Sequence, residues 1–198
     1  MRRADLCAIA VDAAAGATKQ DRRIARMVLE ARKPCIIIAN KFDLYHPGAP
    51  LKDRLAVLRE ELEEGLFFVP YAPVVATSAK EGAFINKIFG AIERVRKAAA
   101  EPVTTGALNR MLQMALNRNP PPARGGKRFK LLYATAAKTD ENDPRVVPVP
   151  RFVLFCNDAS LITEPYLRYI ENQIRAEHPF VGLPIRFDLR DRAPKAKP

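Results

Sequence analysis

Three observations predict an α/β layer of parallel strands and helices followed by a smaller α+β sandwich. Short apolar runs at residues 6–11, 35–39 and 72–77 alternate with segments of helical periodicity, the pattern of right-handed βαβ units. Twelve of the 17 prolines lie from Pro102 onward, so this alternation stops near residue 101. Beyond it the periodic segments run α-β-β-α-β. The domain reading is therefore 1–101 and 102–192, with a basic tail at 193–198 expected to be disordered.

Each element has a local reason. Leu6-Cys7-Ala8-Ile9-Ala10-Val11 is an apolar strand that Asp12 to Gly16 ends. Thr18 and Asp21 have capping-box spacing, and Ile24, Met27, Val28 and Ala31 recur at i, i+3, i+4, i+7, which predicts an amphipathic helix over 18–33. Cys35 to Ala39 is a β-branched run of the kind buried on both faces of a parallel sheet. After a loop holding Pro47, Gly48 and Pro50, the stripe Leu51, Leu55, Leu58, Leu62 predicts a second helix. Ala72 to Thr77 is the third strand, and Ile85, Ile88, Phe89, Ile92 and Val95 define the buried face of a helix over 83–100.

In the second region Thr104 or Thr105 caps a helix carrying Leu108, Met111, Leu112, Ala115 and Leu116, which Asn119-Pro120-Pro121-Pro122 stops. A basic stretch, Arg124 to Lys130, enters a strand over 129–136, and a polar loop spans 139–150. Residues 151–156 form the next strand, and a helix with Pro165 in its first turn presents Tyr166, Leu167, Ile170 and Ile174. Last, Ile185, Phe187 and Leu189 alternate with Arg186, Asp188 and Arg190, a strand buried on one side. Phe152, Phe155 and Phe187 are read as core residues rather than as platforms for stacking bases.

The chemistry concentrates at two strand ends. Asn40-Lys41-Phe42-Asp43 follows the second strand, at the carboxyl edge where open α/β sheets bind ligands. A carboxylate such as Asp43 can accept two parallel hydrogen bonds from N1–H and the exocyclic amine of guanine, a donor pair that adenine lacks. Asn40 can bond the other edge of the base, and the stem of Lys41 can cover its face. Buried polar pairs of this kind reject the wrong base by roughly 10⁴-fold, because a mismatch leaves them unpaired. Ser78-Ala79-Lys80-Glu81-Gly82 follows the third strand. There the Ala79 N–H can reach the guanine carbonyl and Lys80 can close over the base. Ser78 and Glu81 also have the spacing of a helix start. Together the two motifs resemble the fourth and fifth motifs of the Ras-like GTPases.

Composition narrows the partners. The net charge is +11 and the larger share of it falls after residue 101, which favours a polyanion such as RNA. Cys7, Cys35 and Cys156 are scattered within apolar runs and read as buried free thiols of a reducing compartment. His46 and His178 each stand alone, no metal-ligand spacing occurs, and no apolar run approaches the length of a membrane span. A cytoplasmic protein without a membrane partner is expected.

A more specific resemblance covers Ala4 to Arg192. It is carried by Leu108-Asn109-Arg110, Asn119-Pro120-Pro121-Pro122, Lys130-Leu131-Leu132-Tyr133-Ala134-Thr135, Phe152-Val153-Leu154-Phe155-Cys156-Asn157-Asp158, Tyr169-Ile170-Glu171-Asn172 and Gly182-Leu183-Pro184-Ile185-Arg186. With the guanine motifs upstream, these resemble the C-terminal end of the bacterial Der (EngA) GTPases, whose members have two tandem GTPase domains and a KH-like domain and act in assembly of the large ribosomal subunit. The resemblance implies a partial Ras-like P-loop GTPase domain followed by a KH-like domain. It further implies GTP or GDP as ligand, held by Asn40, Lys41, Asp43, Ser78, Ala79 and Lys80, with Mg²⁺ expected only in the full-length family. Implied partners are ribosomal RNA and the family's N-terminal GTPase domains.

The sequence departs from the family pattern in two places. It holds no G-x-x-x-x-G-K-[ST] and no D-x-x-G before Leu6, so the phosphate cradle and switch are missing, and the chain alone is expected to bind GTP weakly and not to hydrolyse it. The first strand is then expected to be an unpaired apolar edge. Nor are any two glycines three apart, so the G-x-x-G clamp of KH folds is absent. Arg124, Lys127, Arg128, Lys130, Arg186, Arg190 and Arg192 remain candidates for contacting RNA phosphates. The competing reading is a nucleotide-independent rRNA- or ribosome-binding module.

Overall fold

The computed structural model describes residues 4–137 and 146–191. Arg192 and the 193–198 tail lie outside the described residues, as does most of the predicted 139–150 loop. The described residues form two compact units: 4–100 with 146–149 and 180–184, and 101–137 with 150–179 and 185–191.

In the first unit β1 (Cys7–Asp12), β2 (Cys35–Asn40) and β3 (Val74–Ala76) form a parallel sheet in that order. β1 is an edge strand of this sheet, with Ala8 and Ala10 exposed. Helices α1 (Lys19–Glu30), α2 (Leu51–Gly65) and α3 (Asn86–Ala100) connect and cover the strands. The Thr18 capping box is complete: its hydroxyl accepts from Asp21 N–H, and the Asp21 carboxylate accepts from Thr18 N–H. Ile9, Val11, Val28, Ile37, Ala39, Leu58 and Leu62 share one continuous core. Each Val, Ile or Leu side chain among them contributes about 1.5–3 kcal/mol by leaving water.

Four expectations need correction here. Met27 is 48% exposed, because the buried positions of α1 are Ala25 and Val28. Leu51 is 46% exposed, because it opens α2 two turns before burial begins at Leu58. Phe89 is 70% exposed. The buried arc of α3 is centred on Ala91 and Val95, and at roughly 100° per residue Phe89 falls off that arc. Finally, α3 starts at Asn86 rather than 83: Ser78 pairs with Ala83 in a short bridge and Phe84 takes a left-handed φ of 60°, so these residues are loop.

Residues 180–184 close this unit. The Gly182 carbonyl accepts from Cys35 N–H at 2.9 Å, and Gly182 N–H donates to the Tyr71 carbonyl at 2.6 Å. Gly182 has φ of 74°, and a Cβ there would lie 2.2 Å from Val95 Cγ2. Only glycine fits both constraints.

The second unit runs α4 (Thr105–Arg118), β4 (Leu131–Ala136), β5 (Arg151–Cys156), α5 (Glu164–Glu177), β6 (Arg186–Asp191), as the sequence predicts. β4 is antiparallel to β5, and β5 is parallel to β6. Thr104 is the cap of α4, its hydroxyl accepting from Ala107 N–H. Leu108, Leu112, Phe152, Leu154, Ile170 and Ile174 are the fully buried centre. Asn109 joins helix to sheet: its amide donates to the carbonyls of Thr105 and Ala134 at 2.7 Å and accepts from Ala134 N–H at 2.8 Å. The edge of β4 is thereby bonded to a side chain. The strand begins at Leu131 rather than 129, because the basic stretch forms a tight turn instead. Arg124 and Lys127 exchange backbone hydrogen bonds of 3.0 Å around Gly125 and Gly126, whose φ values are 55° and 74°.

Candidate guanine site and the basic surface

β1 and β2 end in register at Asp12 and Asn40, and β3 lies on the other side of β2. After Asn40 the chain turns through Lys41, whose φ of 60° is left-handed, into a 3₁₀ turn at Phe42–Leu44 that carries Asp43. The two loops are stitched together. Thr77 N–H donates to the Ala39 carbonyl at 2.8 Å, Phe42 N–H donates to the Thr77 carbonyl at 3.0 Å, and Ala79 N–H donates to Asn40 Oδ1 at 3.0 Å. Thr77 and Ser78 are buried, while Ala79 and Lys80 are exposed at the rim. All six sequence-predicted guanine residues therefore lie on one sheet edge.

Asp43 Oδ1 is buried and has no hydrogen-bond partner among the described residues. A buried carboxylate oxygen without a donor is costly, and the N1–H and amine of a guanine would supply donors of the matching kind. Ala79 N–H already donates to Asn40 Oδ1, so a base carbonyl at Ala79 would share or replace that bond. Ser78 is bound locally: its hydroxyl accepts from Glu81 N–H at 3.2 Å in a turn, not at a helix start.

Sequence reasoning missed three residues that hold this edge. Lys41 Nζ pairs with Asp12 Oδ2 at 2.7 Å, while Asp12 Oδ1 accepts from Ala14 and Ala15 N–H. The hydrogen bond to Lys41 holds the Asp12 carboxyl below the usual carboxylate range, and the same bond raises the lysine. Arg54 of α2 donates from Nε to the Tyr45 carbonyl at 2.7 Å and from its other nitrogen to the Phe42 carbonyl, and its guanidinium lies 4.3 Å from the Phe42 ring centroid. Tyr45 donates from its hydroxyl to Glu61 at 3.0 Å, and burial followed by that carboxylate pushes its pKa up to about 12. Asp12 was findable, because it ends a strand at the same edge; Arg54 lies on α2, outside both motifs, and no short-range pattern singles it out.

In the second unit Arg124, Lys127, Arg128 and Lys130 are exposed on the tight turn and the approach to β4, and Arg186 and Arg190 are exposed on β6. Asn157 pins the basic segment: it donates to the Arg128 carbonyl and accepts from Lys130 N–H at 2.8 Å. Phe152 is buried, as expected; Phe155 and Phe187 are only half-buried, and Phe155 stacks on exposed Tyr133. Cys35 and Cys156 are buried free thiols, whereas Cys7 is partly exposed. No helix among the described residues is long and apolar enough to cross a membrane.

Residues 1–113 match the Elongation factor Tu GTP binding domain, and residues 103–190 match the KH-domain-like of EngA bacterial GTPase enzymes, C-terminal. The chain is 49% identical over 196 residues to GTPase Der of Akkermansia muciniphila, covering 97% of this chain and 41% of that protein. The chain belongs to the Der GTPase family. It is 39% identical over 195 residues to GTPase Der of Desulforudis audaxviator, covering 98% of the chain and 42% of the relative. For GTPase Der of Protochlamydia amoebophila the identity is 36% over 198 residues, covering 100% and 38%. The chain thus spans about two fifths of the length of the Der proteins it matches.

Proposed function

We propose that the first unit reads the guanine base of GTP or GDP and that the second contacts ribosomal RNA, so that the chain serves large-subunit assembly as Der GTPases do. The buried, unpartnered Asp43 Oδ1 is the observation that carries the base-reading half. Asp43 accepts from N1–H and the amine, Asn40 and Ala79 meet the carbonyl side, and Lys41 and Lys80 cover the two faces, with Ser78 shaping the loop. Asp12 holds the Lys41 ammonium in place. With no G-x-x-x-x-G-K-[ST] in its 198 residues, the chain contacts the base and not the phosphates. Binding by this chain is weak and hydrolysis is absent; phosphate and Mg²⁺ chemistry belongs to residues it does not contain. The free thiols fit a cytoplasmic setting.

A competition titration tests this. Fluorescent GDP is displaced from the purified chain by guanosine about as well as by GDP, not by ATP, and Asp43→Asn removes the preference for guanine. Displacement by ATP, or an Asp43→Asn chain that keeps its guanine preference, would refute the base-reading assignment. The net charge of +11 and the exposed basic turn favour a second reading, a nucleotide-independent RNA-binding module. In that case RNA binding weakens with salt and with Lys127→Ala plus Arg128→Ala, and nucleotides leave it unchanged.

A further inference from the structure

The face of the second unit's sheet that turns away from its core carries an aromatic stack. Tyr133 of β4 and Phe155 of β5 are cross-strand partners with ring centroids 4.3 Å apart and planes 14° from parallel, and Tyr133 is 50% exposed. The strand registers place Arg190 beside Phe155 and Arg186 beside Arg151 on this same face. Among the described residues, the acidic group of this face opposite β5 is Asp188, which is bound to Arg151 at 2.5 Å. Among these residues the face therefore combines a flat π surface with the guanidinium groups of Arg151, Arg186 and Arg190.

The basic turn adds direction. Asn157, directly after β5, bonds the backbone of Lys130, so the turn at 124–127 leads into the end of the sheet where Phe155 and Arg190 lie. A polyanion tracking the turn would arrive at the stacked rings. Every nucleobase has a π face, so such a surface takes single strands without reading their sequence. A duplex keeps its bases stacked on each other and cannot use it.

We infer that this outer sheet face is a stacking platform for single-stranded RNA, with Tyr133 as its exposed ring, Phe155 as the ring that backs it, and Arg190 as a phosphate or base partner. This differs from the G-x-x-G clamp, which the sequence lacks. It rests on the proposal that the second unit contacts RNA, and names the surface and the form of RNA involved.

The chain has no tryptophan, so Tyr133→Trp introduces a single indole at the platform. Oligouridine added to this variant is expected to quench its emission, whereas a mixed-sequence RNA duplex at equal phosphate concentration is not. In parallel, Tyr133→Ser, shown to be folded by circular dichroism, should bind oligouridine roughly 5- to 100-fold more weakly than the parent chain. Binding by the parent chain, together with unquenched indole emission from Tyr133→Trp and unaffected binding by Tyr133→Ser, would overturn the platform alone and would leave the face to a protein partner. Failure of the parent chain to bind any RNA at low salt would overturn the RNA proposal itself.

Discussion

Replacing Arg54 by alanine should loosen the turn that carries Asp43, and the size of the effect follows from what the guanidinium touches. It donates to two backbone carbonyls, of Phe42 and Tyr45, and lies over the Phe42 ring. A hydrogen bond from a charged donor contributes about 1.5–3 kcal/mol when buried, and a cation–π contact about 0.5–1 kcal/mol at a partly exposed site. Arg54 is half-buried, so water recovers part of this, and the net cost is about 2–3 kcal/mol. Urea unfolding of the parent and Arg54→Ala chains, followed by circular dichroism, measures it directly. Arg54→Lys keeps the charge but not the planar fork, and should recover less than half of the loss. A change under about 0.5 kcal/mol in Arg54→Ala would refute the clamp, since surface substitutions outside such features fall in that range.

Three further outcomes follow from the same geometry. Gly182→Ala should destabilise by about 1–3 kcal/mol more than Gly126→Ala in thermal melts, because both have φ of 74° but only the first places its Cβ against Val95. Asn109→Ala should cost about 2–4 kcal/mol in urea unfolding, leaving both backbone groups of buried Ala134 without their partner; Asn109→Asp should not rescue it, having no N–H to donate. Tyr45 and Tyr166 are both pushed up to about 12, mainly by burial, whereas an unfolded tyrosine ionises near 10. The folded state therefore loses stability as pH rises from about 10 to 12, and tyrosinate absorbance should show a late-ionising fraction that shifts to about pH 10 in urea.

How much of this was legible in the sequence depended on whether the cause was local. The parallel strands, the Thr18 capping box and the α-β-β-α-β order follow from short-range patterns, and each appears in the fold. The residues proposed to read guanine come together on one sheet edge for the same reason, being two contiguous motifs at strand ends. Phe89 misled because an apolar side chain at helical spacing looks buried until the neighbouring elements fix which arc faces inward. Arg54, Asn109 and the Tyr133–Phe155 stack depend on partners 9 to 25 residues away, which no periodicity reports. Gly182 acts on Cys35, Tyr71 and Val95 together and was legible only as part of a family motif.

The central claim is that Asp43 and its neighbours form a guanine-reading edge that works without phosphate contacts. An amide-resolved NMR titration of the chain with GDP, and separately with ADP, tests it most directly. GDP at high concentration should shift the backbone amides of residues 40–43 and 78–80, with Ala79 moving most as its bond to Asn40 is shared or replaced, while ADP leaves them in place. Equal shifts with ADP, or unmoved amides at this edge on saturation with GDP, would contradict the account.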